Sequence, residues 1–305
     1  MTDFGIRILG TGSAAPANIM TNDDFAHIVD TSDEWIISRT GIRSRRIATE
    51  ETTLSLALDA AHMALDNAGI DPQRISLVIC ASITAEQMTP ALSCYLQRDL
   101  GLREDLLAFD LNAACSGFIY SLITAQRLLD PDGVALVVGS ETLSSVTDFT
   151  DRSTCVLFGD GAGAVVVERA PLPFFWATTV CGDDESLAVR KYIEMDGPAV
   201  FRFATDALCK RVQEVVDQVG CSVEEVDRFI CHQANERILA NAAKQLNVPL
   251  ERFFMNLADF GNTSAASIPL ALDEAIRSKQ LERGHSVVLA GFGGGLTSGA
   301  IYLEY

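Results

Sequence analysis

Short apolar runs alternate with longer stretches of helical period along this chain. LVIC (77–80), VALVVGS (134–140) and AGAVVVE (162–168) are apolar at consecutive positions, the pattern of strands covered on both faces. RFICHQ (228–233), SVVLAGF (286–292) and GAIYLEY (299–305) repeat that pattern in the second half. Between the runs, TLSLALDAAHMALDNAG sets Leu54, Leu58, Ala61, Leu65 and Ala68 on one helix face and stops at Gly69. The alternation predicts an α/β protein with parallel strands and helices on the sheet faces.

The order of elements also repeats. Helix 53–68, strand 77–80, a small-residue turn at Cys115 with helix 116–129, then strands 134–140 and 162–168 form one set. Helix 201–219, strand 228–232, a small-residue turn at Asn262 with helix 263–278, then strands 286–291 and 299–304 form the other. This predicts a duplicated fold with halves 1–170 and 171–305, joined where RAPLPF (169–174) breaks the pattern with two prolines. In that reading Cys115 and Asn262 hold the same place in their halves, and His232 follows directly on a second-half strand. A site would form where the three meet.

Composition narrows the function classes. A chain of 305 residues with 48% hydrophobic residues builds a sizeable core. Lys and Arg total 23 against 41 Asp and Glu, a net charge of −18, which disfavours nucleic acid and anionic membrane as partners. An acidic partner would need a local basic patch. The first residues, MTDFGIRILGTGSAAP, lack the basic and apolar regions of a secretory leader, and no apolar run reaches the ~18 residues of a membrane span. The eight cysteines are scattered with no CxxC pair, so neither a disulfide framework nor a zinc site is expected, and a reducing cytoplasmic location is the simplest reading.

Three positions carry candidate chemistry. Cys115, in DLNAACSGFIYSLITAQRLL, lies at the start of a helix, where unpaired N–H groups and the dipole favour a thiolate and lower its pKa. That suits a nucleophile, although position alone favours a buried structural cysteine. His232 leaves a strand at its carboxyl end, where sites form in open α/β sheets. Asn262, in DFGNTSAAS, opens a helix and reads by default as its N-cap. GFGGGLTSGA (291–300) is glycine-rich after a strand. It lacks the Lys-Ser/Thr of a phosphate loop, and its spacing allows backbone N–H groups to approach a substrate as an oxyanion hole requires.

These residues sit within a wider set of motifs. TSDEWIISRTGIRSR (31–45), AACSGF (113–118), Asp151-Arg152 with FGDGAGAVV (158–166), HQAN (232–235), GNTSAAS (261–267) and GFGGG (291–295) occur in this order. In them the chain resembles β-ketoacyl-[acyl-carrier-protein] synthase III, the initiating condensing enzyme of type II fatty-acid synthesis, from residue 5 to the C terminus. The resemblance implies a thiolase-like fold of duplicated α/β halves, with mixed sheets and helices on both faces. It implies decarboxylative Claisen condensation of an acyl-CoA primer with malonyl-[acyl-carrier protein], acyl carrier protein as partner, a homodimer, and no metal or redox cofactor. A related ketosynthase or acyltransferase of specialised metabolism using the same cysteine is the alternative.

Residue by residue, the resemblance makes Cys115 the acyl-accepting nucleophile and His232 with Asn262 the decarboxylation pair. The Cys-His-Asn set differs from the Cys-His-His of elongating ketosynthases and the Cys-His-Cys of thiolases. Trp35 and Arg152 match the pair that sandwiches the adenine of coenzyme A. Thr31 and Arg39 match other nucleotide contacts, Asn235 a pantetheine contact, and Gly294 the backbone partner of Cys115 in the oxyanion hole. Arg202, Arg237 and Lys244 match basic docking positions for the carrier protein. Three departures stand out. The stretch 172–200 is shorter than the family pattern, and Pro198 replaces a frequent asparagine. Thr89 stands where acetyl-specific members carry phenylalanine at the pocket end, a position supplied across the dimer interface, which implies a primer longer than acetyl.

Overall fold

The computed structural model describes residues 4–305; Met1–Asp3, part of the stretch read above as lacking a leader, lie outside them. Two sheets carry the fold. The first has five strands in the order Gly5–Ala14, Gly161–Ala170, Val134–Glu141, Ile75–Ala81, Leu107–Leu111. The second has four in the order Arg228–Cys231, Ser286–Gly293, Thr297–Glu304, Phe174–Thr179. An isolated parallel bridge from Phe229 to Phe253 stands where a fifth strand would extend the second sheet.

The parallel pairing read from the apolar runs holds on one side of each sheet, and the sheets are mixed, as the resemblance implies. Ile75–Ala81 runs parallel to both its neighbours, and Arg228–Cys231 runs parallel to Ser286–Gly293. The remaining pairs are antiparallel. In the second sheet connection length accounts for one of these. Parallel neighbours need a crossover of a dozen or more residues, whereas Ser286–Gly293 returns into Thr297–Glu304 through a tight turn that fixes the opposite direction.

Alternation along the strands sorts side chains into layers. Leu77 and Ile79 from the first sheet, and Val287, Leu289, Ile301 and Leu303 from the second, point into one shared core. Between the sheets lie the helices Gly117–Leu128 and Ser267–Arg277, which contribute Phe118, Leu122, Ile268 and Leu272 to it. Val78, Cys80 and Leu136 face the other way, against the helices Thr53–Ala68 and Leu92–Asp99. Val288, Ala290 and Phe292 likewise face the helices Gly197–Val219 and Glu236–Gln245. The result is five layers, helix–sheet–helix–sheet–helix. Each large apolar side chain fully buried in the middle layer contributes about 1.5–3 kcal/mol, and that layer joins the halves.

The strand Gly5–Ala14 is absent from the sequence reading because Gly10 and Gly12 interrupt its apolar pattern. Both serve packing. A Cβ on Gly10 would lie 2.5 Å from the Ala64 carbonyl oxygen, and one on Gly12 would lie 2.3 Å from that of Ala60. Glycine therefore lets the helix Thr53–Ala68 settle directly on the strand. Among the described residues no helix is long and apolar enough to cross a membrane, and no cluster of three or more His, Cys, Asp or Glu is placed to hold a metal ion.

Candidate active site

The two inner helices each begin with a short turn, and these turns repeat one geometry. Ala114 and Ser264 take left-handed φ values of 47° and 49°. The side-chain oxygen of Asn112 accepts the Ala114 N–H at 3.2 Å, and that of Asn262 accepts the Ser264 N–H at 2.9 Å. Asn262 is thus the counterpart of Asn112, and Cys115 is the counterpart of Ala265. This corrects the expected equivalence of Cys115 with Asn262 by three positions. Nor is Asn262 an N-cap: the helix starts at Ser267 after the Ser264–Ala266 turn, and the amide closes an Asx turn instead. Because its oxygen is engaged there, the Asn262 amide nitrogen is left to donate.

Cys115 is buried in the Ala114–Ser116 turn that feeds the helix Gly117–Leu128. The end of Ser286–Gly293 reaches it closely. A Cβ on Gly293 would lie 2.7 Å from the Cys115 nitrogen, so the approach depends on glycine. Gly294 follows in the same cavity wall. The expected lowering of the thiol pKa is not met. Burial outweighs the helix start and pushes Cys115 up to about 11, with the charge of Glu141 acting in the same direction and the Ser264 hydroxyl against it. The resting group is a thiol.

His232 emerges from Arg228–Cys231 and is almost wholly buried. Desolvation holds its pKa down at about 3, so the ring is neutral at any working pH. Its Nδ1 lies 2.6 Å from the Ser267 hydroxyl oxygen, which also accepts the Gln233 N–H at 3.3 Å. The arrangement that satisfies this hydroxyl has it donate to Nδ1, which assigns the proton to Nε2. Phe292 meets the ring edge to face, with centroids 5.1 Å apart. His232 and Asn262 are therefore two neutral hydrogen-bond donors.

One cavity of about 1120 Å³ gathers Cys115, His232, Asn262 and Gly294 with Trp35, Arg39, Asn235, Arg202 and Arg237. The first three are buried and mark its inner end, while Arg39, Arg202 and Arg237 are exposed and mark its mouth. A local basic rim thus exists on an acidic chain. At the mouth the Arg152 guanidinium lies 4.1 Å from the centroid of the Trp35 ring. A planar base can enter between this pair only by separating them. The Arg152 Nε, and the Thr31 Oγ1 just before the helix that carries Trp35, are buried without hydrogen-bond partners, which fits a polar ligand. Asn235 caps the helix Glu236–Gln245, accepting the Arg237 N–H at 2.9 Å and donating to the Arg39 carbonyl at 3.0 Å.

Near Cys115 the wall is apolar. Leu143, Phe158 and Ile193 form a small cluster with Ile83 and Leu187 against it, and all five line the cavity. Leu187 and Ile193 come from the hairpin of Leu187–Val189 and Ile193–Met195, which lies within the stretch 172–200. Pro198 sits in the first turn of Gly197–Val219, where its missing N–H costs nothing, and Asp196 caps that turn. Four of the expected positions do not line the cavity of the single chain: Thr31 and Arg152, the latter stacked on Trp35 at its mouth, and Thr89 and Lys244. Thr89 is exposed beside the fully exposed Met88, and Lys244 is exposed in the last turn of its helix.

The sequence reading passed over Glu141, Ser264, Ser267 and Gly293. Glu141 had a visible signal: it is a carboxylate closing the apolar run Val134–Glu141, and the whole strand is buried.

A five-layer duplicated fold with a cysteine at the start of an inner helix, facing a histidine and an asparagine, defines a thiolase-fold enzyme. Family models for 3-oxoacyl-[acyl-carrier-protein] synthase III match residues 109–183, and for its C-terminal part residues 216–305. The chain is 45% identical to the beta-ketoacyl-[acyl-carrier-protein] synthase III of Acholeplasma laidlawii (strain PG-8A), with 100% of both chains covered. It is 44% identical to that of Neisseria meningitidis serogroup B, covering 98% of this chain and 99% of the relative. The crystal structure of 3-oxoacyl-[acyl-carrier-protein] synthase III from Aquifex aeolicus VF5 superposes with a TM-score of 0.96 at 44% identity, covering 99% of this chain and 100% of that one. The chain belongs to the β-ketoacyl-[acyl-carrier-protein] synthase III family.

Proposed function

We propose that this chain condenses an acyl-CoA primer with malonyl-[acyl-carrier protein], releasing carbon dioxide and giving 3-oxoacyl-[acyl-carrier protein], the first carbon–carbon bond of fatty-acid synthesis. One observation carries the reading: a buried thiol and two neutral hydrogen-bond donors converge at the inner end of one cavity whose mouth is basic. Cys115 attacks the thioester and keeps the acyl group, and coenzyme A leaves. The malonyl thioester then occupies the same cavity. The His232 Nε2–H and the Asn262 amide donate to its oxygen, and loss of carbon dioxide leaves an enolate there. Fixed neutral donors stabilise the charge that develops without having to surrender a proton. The enolate carbon attacks the acyl-Cys115 carbonyl, whose oxyanion would lie against the Gly294 N–H, and Cys115 is freed. Both half-reactions use one site, which predicts ping-pong kinetics.

Further parts belong to the same reading. Thr31, Trp35, Arg39, Arg152 and Asn235 hold coenzyme A, and Arg202 and Arg237, with Lys244 farther along, receive the acidic carrier protein. A homodimer forms through the edge strand Leu107–Leu111, whose Leu107 is half exposed, and it brings Thr89 to the partner's acyl pocket. The reaction needs no metal or redox cofactor, and the location is cytoplasmic. The test incubates the chain with an acyl-CoA and malonyl-carrier protein and follows the carrier protein by mass spectrometry. The expected product is carrier protein bearing the 3-oxoacyl group. Transfer of the acyl group without loss of carbon dioxide would contradict condensation.

A further inference from the structure

Glu141 is a fully buried carboxyl group that the reaction outlined above leaves without a task. It ends the strand Val134–Glu141 behind the Cys115 turn. Its Oε2 accepts three hydrogen bonds, from the Thr84 hydroxyl at 2.5 Å, the Ile83 N–H at 3.1 Å and the Ser82 hydroxyl at 3.2 Å. Its Oε1 accepts none. Neither does the buried Ser264 hydroxyl make a hydrogen bond of ordinary geometry. Yet Ser264 lies beside both the Cys115 thiol and the Glu141 carboxyl, and lowers the pKa of each. The Ser264–Ala266 turn packs directly on the strand that Glu141 ends, where a Cβ on Gly139 would lie 2.3 Å from the Ala265 carbonyl oxygen, so two unpartnered polar atoms lie close together behind a buried thiol. Such groups are costly to keep unless something uses them.

We propose that Ser264 and Glu141 form a proton relay behind Cys115, in which the thiol proton passes to the Glu141 carboxylate as the acyl-enzyme forms and returns when condensation frees the sulfur. This rests on Cys115 being the acyl acceptor. The steps balance. In acylation the S–H bond breaks, the Ser264 hydroxyl takes that proton while giving its own to Oε1, and the sulfur bonds to the acyl carbon as the coenzyme A thiolate departs. That thiolate takes its proton from solvent. In condensation the enolate displaces the Cys115 thiolate, and the stored proton travels back through Ser264 to the sulfur. One proton is held in the protein for the lifetime of the acyl-enzyme, and no oxidant or metal is involved.

The surroundings suit a proton store. Burial raises Glu141 to about 7, so both of its forms are populated near neutrality, while the hydroxyls and the Ile83 N–H pull the other way. Besides Cys115, Cys80 on the adjacent strand also senses Glu141, and burial together with Asp110, Glu141 and Glu86 keeps it firmly a thiol. Cys80 therefore does not compete for the proton.

The test measures single-turnover acylation by acetyl-CoA and by octanoyl-CoA between pH 5 and 9, read as the intact mass of quenched protein. The wild-type rate should rise with pH through the ionisation of Glu141. Glu141→Gln keeps an acceptor for Ile83 and the hydroxyls but cannot take the proton. It should acylate at least about tenfold more slowly, at the low end of what a general base contributes, and lose the rise near neutrality. Glu141→Asp should recover that rise at a reduced rate. Ser264→Ala should match Glu141→Gln, and the double variant should be no slower than either. Alanine is tolerated in that left-handed turn, since Ala114 occupies the equivalent position with φ 47°. If Glu141→Gln does not fold, Ser264→Ala decides alone. Variants that acylate at the wild-type rate with the wild-type pH profile overturn the relay. A wild-type chain that takes up no acyl group would instead overturn the function on which the relay rests.

Discussion

In the proposed reaction Cys115 forms the covalent bond, but the character of the site comes from its two neutral donors. A histidine held near pKa 3 neither attracts the malonyl carboxylate nor shuttles protons; it donates from Nε2. Asn262 can only donate because the Ser264 N–H occupies its oxygen. Replacing either residue by alanine should therefore spare acylation and cripple decarboxylation. Each donor is worth ~2.7–4 kcal/mol, or about two to three orders of magnitude in rate. Release of labelled carbon dioxide from malonyl substrate measures this, beside the acylated mass. A His232→Ala chain that decarboxylates normally but cannot be acylated would reverse the assigned roles. The buried ring also has a thermodynamic signature. Between pH 3 and 6.5 the unfolded chain binds a proton on His232 and the native chain does not, so its effect on stability becomes less favourable as pH falls through that window. Urea unfolding at pH 7 and pH 4 should show a smaller acid loss for His232→Gln than for the wild type; equal losses would mean that the ring is protonated in the native state.

At the scale of elements, the outer helices carry the basic rim proposed as the docking face. Arg237 starts the exposed face of Glu236–Gln245 and its guanidinium lies 5.5 Å from the Phe201 ring, beside Arg202 on the facing helix. Arg237→Glu should raise KM for malonyl-carrier protein and leave acylation by acyl-CoA nearly unchanged. Steady-state kinetics with each substrate varied would show it, and an equal loss for both would argue against this rim as the docking face. Elements also show what could be read in advance. The runs at 77–80, 134–140 and 286–292 each became a strand because burial on both faces leaves an unbroken apolar signal. The strand Gly5–Ala14 stayed hidden because glycine there answers to a helix packed above it, a tertiary demand with no local signature. The register of the duplication was legible, since Asn112 and Asn262 each precede a run of small residues, but Cys115 drew the comparison to itself. The thiol pKa was not legible, because desolvation depends on both sheets closing over the turn.

The whole molecule sets the length of the acyl chain. Within one chain Leu187 and Ile193 line the apolar wall, while Thr89 lies exposed and outside the cavity. Thr89 can limit chain length only from a partner copy. Each methylene that finds apolar cover adds ~0.8 kcal/mol, so an open end should favour octanoyl- over acetyl-CoA. Thr89→Phe should then block long primers and spare short ones, and sedimentation should show a dimer. A clear preference for acetyl-CoA in the wild type would refute the open end.

The proposed reaction requires one thioester on the protein. The intact chain, incubated with acyl-CoA and weighed by mass spectrometry, should gain a single acyl mass located on Cys115 and lose it when malonyl-carrier protein is added; Cys115→Ala should gain nothing. Acylation of the Cys115→Ala chain at the wild-type rate, or an acyl group that malonyl-carrier protein cannot discharge, would contradict it.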